Sequence, residues 1–290
     1  MGGRRGGAWL VIAAGALWGT TGTAQALAPP GATPAAVGAL RLALGGAGLL
    51  AVALLRGELR QARRLPGLSV VAAAVTVAAY QVCFFSGVSL TGVALGTVVG
   101  IGSSPVWAGL LAWLTGAGRP SRRWVLATGL AVAGAILLIA GGHTLQVSLP
   151  GVMLALAAGA SYAIYASVSK RLLESASPDA VMAVVFGLAA LLLTPILLQS
   201  NLAWVGTPRG AAVALHLGLL ATTLSYLLFA RGLRSLPAPT AVTLSLAEPL
   251  TAAGLGLLVL QERLTLAGVL GGGLLLAGLI SLSGQPRSKP

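Results

Sequence analysis

The sequence predicts an all-α integral membrane protein of ten transmembrane helices, arranged as two inverted five-helix repeats. Three observations carry that reading: the chain is apolar from end to end, its basic residues cluster in alternate loops, and its halves share one register of matching residues. Of 290 residues, 57% are hydrophobic and 8% charged, with a mean hydropathy of +0.93. Soluble domains carry about a quarter charged residues, so water is excluded as the main solvent. Apolar stretches of about 20 residues match a bilayer core and make the chain one membrane unit. The single cysteine, Cys83, excludes a disulfide framework. A formal net charge of +13 would suggest nucleic acid for a soluble protein. Here the charges are topological, and no nucleic-acid partner is expected.

Apolar runs interrupted by Pro, Gly and charge define the helices. The first, 8–28, follows Arg4 and Arg5 and carries Gly15 and Gly19. Its small residues near 23–26 resemble a signal-peptide cleavage site, but nine further spans need insertion either way. The second, 35–55, holds Arg41 and ends at Arg56, Arg60, Arg63 and Arg64. The third, 67–87, sets Tyr80 and Phe84 on one face. The fourth, 92–114, has a stripe of Gly92, Gly96, Gly100, Ser104 and Ala108, which lets another backbone approach closely. Arg119, Arg122 and Arg123 separate it from the fifth, 124–141. The sixth, 151–170, pairs Tyr162 with Tyr165 and ends at Lys170 and Arg171. The seventh is 180–198. The eighth, 211–230, pairs Tyr226 with Phe229 and stops at Arg231 and Arg234. The ninth, 239–260, carries Ser245, Glu248 and Pro249, and the Gly-rich tenth is 266–283. Trp9, Trp113, Trp124 and Trp204 fall near span ends, where indole rings favour the interface.

Cytoplasmic termini place fifteen of the eighteen Lys and Arg residues in inner segments, as the positive-inside rule requires. Arg209 and Arg263 fall outside, and Arg41 lies within a helix. The expected location is the bacterial inner membrane, multi-pass, with both termini cytoplasmic. Residues 15–19 align with 159–163 at a spacing of 144, and the same spacing sets Pro105 on Pro249, Ser121 on Thr265, Gly129 on Gly273 and Gly134 on Gly278. The repeats are expected at 1–145 and 146–290, together one transport domain. Because five helices is an odd number, the second repeat enters from the opposite face. Secondary transporters of this kind hold substrate near the midplane and rock between two access states.

The Gly15-Ala16-Leu17-Trp18-Gly19 opening, the Arg41-bearing second helix, Glu248-Pro249, Gln261-Glu262-Arg263-Leu264 and the Gly-rich tenth helix resemble the EamA-type drug/metabolite transporters. The resemblance covers almost the whole chain. It is looser in the first half, where Arg119 stands near a common glutamate and Ser104-Pro105 replaces Glu-Pro. It implies a ten-helix metabolite exporter whose cavity is lined mainly by the first, third, fourth, sixth, eighth and ninth helices. Within the superfamily the chain is most similar to the YddG-type exporters of aromatic amino acids. Sugars, nucleotide precursors and drugs are the alternative cargoes.

Polar groups inside the spans are functional candidates because burying them is costly. Glu248 is the one carboxylate of five acidic residues that falls in the bilayer; it is able to carry a proton, attract a substrate amine, or form a structural ion pair with Arg41. Trp18, Tyr80, Phe84, Trp107, Tyr162, Tyr165 and Tyr226 are candidates for stacking on a flat apolar substrate or holding its cation, with core packing as the alternative. Ser104 and Ser245 are candidate hydrogen-bonders to substrate. Pro105 and Pro249, at matching depths, are candidate flexing points. No catalytic residue, metal site or cofactor is expected: His143 and His216 lack metal spacing, and no Walker loop is present. A membrane enzyme or scaffold is the remaining alternative to transport. The expected partners are a small-molecule substrate and lipid, and a monomer is compatible with this reading.

Overall fold

A computed structural model describes residues 3–140, 148–259, 261 and 265–283, and every regular element among them is helical. The spans are α1 (Arg4–Ala26), α2 (Pro34–Leu55), α3 (Gly67–Thr91), α4 (Val93–Leu114), α5 (Arg122–Ala140), α6 (Leu149–Ser175), α7 (Pro178–Leu192), α8 (Pro208–Ser235), α9 (Ala238–Leu258) and α10 (Leu266–Ser283). Eight are individually long and apolar enough to cross a bilayer. The other two are α1, which polar side chains in residues 20–25 dilute, and α7, whose 15 residues are prolonged by a short helix, Thr194–Gln199. Glu262, Arg263 and Leu264 of the sequence motif lie outside the described residues, as do His143, Arg287 and Lys289.

Three helices begin at a hydroxyl residue followed by proline. Thr33, Ser177 and Thr207 each accept a hydrogen bond from a backbone N–H three residues on, at 3.0–3.3 Å, while Pro34, Pro178 and Pro208 fill the first helical position, where no N–H is needed. Trp9 and Trp113 are exposed at their span ends as an interfacial ring should be. Trp124 and Trp204 are not: both are buried, Trp204 against Ala24, Val37 and Val213. Nearness to a span end left the direction of the ring open, and packing turned these two inward.

Helix pairing is preserved when each helix of the first five is exchanged for its counterpart in the second. The α3–α6 packing is matched by α8–α1, and α4–α6 by α9–α1; α2 packs on α7, and α5 on α10. The match extends to single atoms. A Cβ at Gly134 would lie 2.6 Å from Gly271 O, and one at Gly278 would lie 2.6 Å from Ala127 O. The 144-residue spacing maps one pair onto the other, Gly134 onto Gly278 and Ala127 onto Gly271. Such backbone contact is the means by which helices associate in lipid, where apolar burial offers no drive.

At the face that carries α1's start and α10's end, Asp179 bridges Arg56 at 2.9 Å and Arg231 at 2.7 Å. The carboxylate ties the start of α7 to the ends of α2 and α8.

Candidate substrate-binding cavity

A cavity of about 80 Å³ lies at mid-depth between the repeats. Its lining comes from seven helices: Trp18, Thr21 and Gln25 of α1, Arg41 of α2, Tyr80, Gln81, Phe84 and Phe85 of α3, Ile101 and Ser104 of α4, Tyr162 of α6, Tyr226 of α8, and Ser245 and Glu248 of α9. A narrow lobe of about 10 Å³, the size of one water, continues past Tyr80, Tyr162 and Tyr226 to Tyr165, Phe186 and Thr222.

The anionic wall is made by a break in α9. Pro249 has no N–H to give the carbonyl four residues back, so Ser245 O instead accepts from Glu248 N at 3.0 Å, and Leu246 N reaches Thr243 O at 3.1 Å. The helix is interrupted at Ser245–Leu246, and the interruption turns Ser245 and Glu248 to the cavity. Helix α1 lies directly on this break. A Cβ at Gly15 would stand 2.9 Å from Ser245 O, and one at Gly19 would stand 2.5 Å from Glu248 O. Only glycine permits this approach, which brings Trp18 beside the same wall.

The cationic wall depends on a π-helical segment of α8, His216–Leu224. There the Thr222 hydroxyl donates to Leu217 O at 2.8 Å and the Thr223 hydroxyl to Gly218 O at 3.0 Å, each five residues back. Thr223 also donates across to Gly45 O of α2 at 3.1 Å. Arg41 Nε donates to Thr222 Oγ1 at 3.4 Å, which fixes the guanidinium stem against α8. Single π turns of this kind recur at functional sites.

Arg41 and Glu248 share the cavity, but the expected ion pair is absent: among the described residues the ion pairs are the two made by Asp179. Helix α2 packs on α7 and α8 while α9 packs on α1, so the two charges reach the cavity from differently supported helices. Three lining groups, Trp18 Nε1, Thr21 Oγ1 and Gln25 Nε2, are buried and make no hydrogen bond. Unmet polar groups around a cavity are what a polar ligand satisfies, since each costs about 1–3 kcal/mol when left unpaired.

Toward the termini-bearing face the cavity is closed by rings. Trp18 lies 5.4 Å from Phe229 and 4.9 Å from Tyr226, and Tyr226 lies 4.1 Å from Phe186, between ring centroids. Tyr165, Phe186 and Phe229 are at most 1% exposed. Gln25, Arg41 and Phe85 lie in the halves of their helices nearer the opposite face, which is the side the cavity leans to.

The structure thus brings Trp18, Tyr80, Phe84, Tyr162, Tyr226, Ser104, Ser245, Arg41 and Glu248 to one cavity, and Tyr165 to its lobe. Trp107 is not brought there. It lies one turn nearer the termini-bearing face and packs against the core. Pro249 breaks its helix, whereas α4 runs unbroken through Pro105. Phe186 and Thr222 were missed by sequence reasoning: the first sits in an apolar run without polar neighbours, and the second gains its role from a π turn that hydropathy does not register.

A family model, the EamA-like transporter family, matches residues 5–140 and again 149–284. The chain is 46% identical over 279 residues to the uncharacterized transporter YwfM of Bacillus subtilis (strain 168), covering 96% of this chain and 94% of that protein. It is 36% identical over 273 residues to the threonine/homoserine exporter RhtA of Escherichia coli (strain K12), covering 88% and 83% respectively. A solved crystal structure superposes with a TM-score of 0.80 over 95% of both chains at 22% identity, which shows the fold.

Proposed function

We propose, from the premise that this chain belongs to the EamA-like transporter family and is a membrane transporter, that its cargo is an amino acid carried in zwitterionic form. The observation that carries this is that Arg41 and Glu248 line one cavity without forming an ion pair with each other. A substrate carboxylate pairs with the guanidinium and its ammonium with Glu248, each charge-assisted contact contributing about 1.5–3 kcal/mol. The side chain then lies among Trp18, Tyr80, Phe84, Tyr162 and Tyr226, whose faces suit aromatic and amphipathic amino acids. Residues 1–145 and 146–290 act as the two rocking halves, Pro105 and Pro249 are the flexing points, and a monomer suffices. The loop charges support cytoplasmic termini, and the location proposed with them is a bacterial inner membrane. In that orientation the cavity leans outward and the aromatic layer closes the cytoplasmic side.

A second cargo is favoured by the cavity's size. At about 80 Å³ it accommodates roughly six waters, nearer to a small hydroxylated amino acid than to an indole. The relative described as a threonine/homoserine exporter supports the same choice, and Ser104, Ser245 and Thr21 offer hydroxyl partners.

Counterflow in reconstituted vesicles tests both. Labelled phenylalanine, tryptophan, threonine and homoserine are offered in competition, and flux equal to protein-free vesicles refutes transport of these cargoes. Arg41→Gln should weaken amino acids about 10- to 150-fold while sparing their amides, the fold-change of one charge-assisted contact. Glu248→Gln should do the same to amino acids but not to N-acetylated analogues. Wild-type affinity in both variants refutes the zwitterion clamp.

A further inference from the structure

A second cavity is much larger than the central one. About 700 Å³ lies at the termini-bearing face, between the end of α4, the start of α5, the last turns of α6 and the first turn of α9. We infer that this cavity binds the phosphate headgroup of an anionic phospholipid.

Charge is the first ground. Arg119, Lys170 and Arg171 line the cavity against a single carboxylate, Glu174. Lys170 is anchored by Nζ donating to Leu233 O at 2.9 Å and Arg234 O at 2.8 Å, where it caps the end of α8. The two arginines are exposed and are the groups that reach a headgroup. Guanidinium forks match phosphate oxygens in pairs.

A buried donor is the second, independent ground. Trp124 lines the same cavity and is 9% exposed, and its indole Nε1 is buried without a hydrogen-bond partner. It is a donor only, so the group that satisfies it must be an acceptor, as a phosphate oxygen is.

Access is the third. The adjoining surface is apolar and exposed: Trp113 at 54% and Leu114 at 67% on α4, and Leu126 at 70% on α5. The inner wall includes Leu111, Ile164 and Val168. Acyl chains therefore run along the helices while the headgroup enters between them. A free phosphate would use the basic end alone and leave this apolar wall uncovered. Basic pockets between spans are a recurrent form of lipid recognition.

The full-length protein in phosphatidylcholine nanodiscs is titrated with phosphatidylglycerol, and retained lipid is counted by native mass spectrometry alongside the thermal shift. Phosphatidylglycerol should be retained and should raise the melting temperature. Arg119→Gln and Arg171→Gln should each lower its affinity about fivefold, and together about 25-fold, the fold-change of about 1 kcal/mol per basic residue. Trp124→Phe should lower it as well, since the ring stays and the donor goes. Glu174→Gln should raise it, the removed charge being of the ligand's own sign. Glycerol phosphate at millimolar concentration should give no thermal shift. Retention unchanged in the double arginine variant overturns the site. Weaker binding in Glu174→Gln points to a zwitterionic ligand and overturns the anionic one, and a full shift with glycerol phosphate alone overturns the lipid.

Discussion

Replacing Gly19 by Ala adds one methyl group at the crossing of α1 on the α9 break. Its Cβ would stand 2.5 Å from Glu248 O, 2.7 Å from Thr251 Cβ and 3.0 Å from Ala252 N. Ordinary contact begins near 3.4 Å, so the backbones must part by about 0.9 Å, an overpacking that costs about 1–3 kcal/mol. No rotamer change relieves it, because Glu248 O and Ala252 N are main-chain atoms within α9. Gly22→Ala is the matched control: it lies on the same helix, where an added Cβ meets nothing within 4 Å. There the better helix propensity of alanine is expected to be neutral or to stabilise by up to about 1 kcal/mol. Thermal melts of the two variants in detergent should differ by several degrees, at about 2–4 °C per kcal/mol. In vesicles Gly19→Ala should lose more flux than folded protein, since Trp18 and Glu248 flank the crossing. Equal melting temperatures and equal flux in the two variants would refute the close-contact reasoning.

Two further substitutions address the closed face. Asp179→Asn removes the shared partner of Arg56 and Arg231, whose side chains are 57% and 33% exposed against 7% for Asp179. The expected loss is about 2 kcal/mol, held to that size by solvent screening of the arginines, and a thermal or denaturant melt unchanged from wild type would contradict it. Phe229→Ala empties the centre of the ring layer, where Phe229 is 0% exposed and lies 5.4 Å from Trp18 and 6.3 Å from Tyr165. A loss of about 3–5 kcal/mol is expected; a loss under about 1 kcal/mol would mean that the layer collapses to refill the space.

Helix count was legible because it rests on local chemistry. Hydropathy runs set the spans, and Thr-Pro or Ser-Pro steps set three of their starts. Gly134 and Gly278 were matched by the 144-residue spacing alone, and the structure adds that both meet a neighbouring backbone. Arg41 and Glu248 were legible as the charges that belong to the cavity, but their separation was not. Which helices α2 and α9 lean on is decided by packing across the bundle, and one residue's identity does not carry it. The π segment of α8 was hidden for a related reason: His216–Leu224 reads as any apolar helix, and the wider turn is held by Thr222 and Thr223 hydroxyls donating to the carbonyls of Leu217 and Gly218 and, from Thr223, to Gly45 O of α2. Trp124 and Trp204 show the same limit from the other side, since their depth was readable and their facing was not.

Equivalent crossings in the two repeats carry different chemistry. Gly15 sets α1 against Ser245 O and Glu248 N, and Gly159, 144 residues on, sets α6 against Gly100 O and Ser104 N. The backbone contact is therefore repeated while the side chain beside it changes from carboxylate to hydroxyl. Pro249 and Pro105 also match, yet α9 is interrupted and α4 is not. Proline alone does not dictate the break, which falls in the repeat that bears the charge. The amino-acid cargo proposed above brings one ammonium, which one carboxylate answers, and a second in the same apolar surroundings would stand uncompensated. In the proposed transport cycle, symmetry in the scaffold serves exchange between two access states, and departure from it at position 104 fits the cavity to a substrate that has no symmetry of its own.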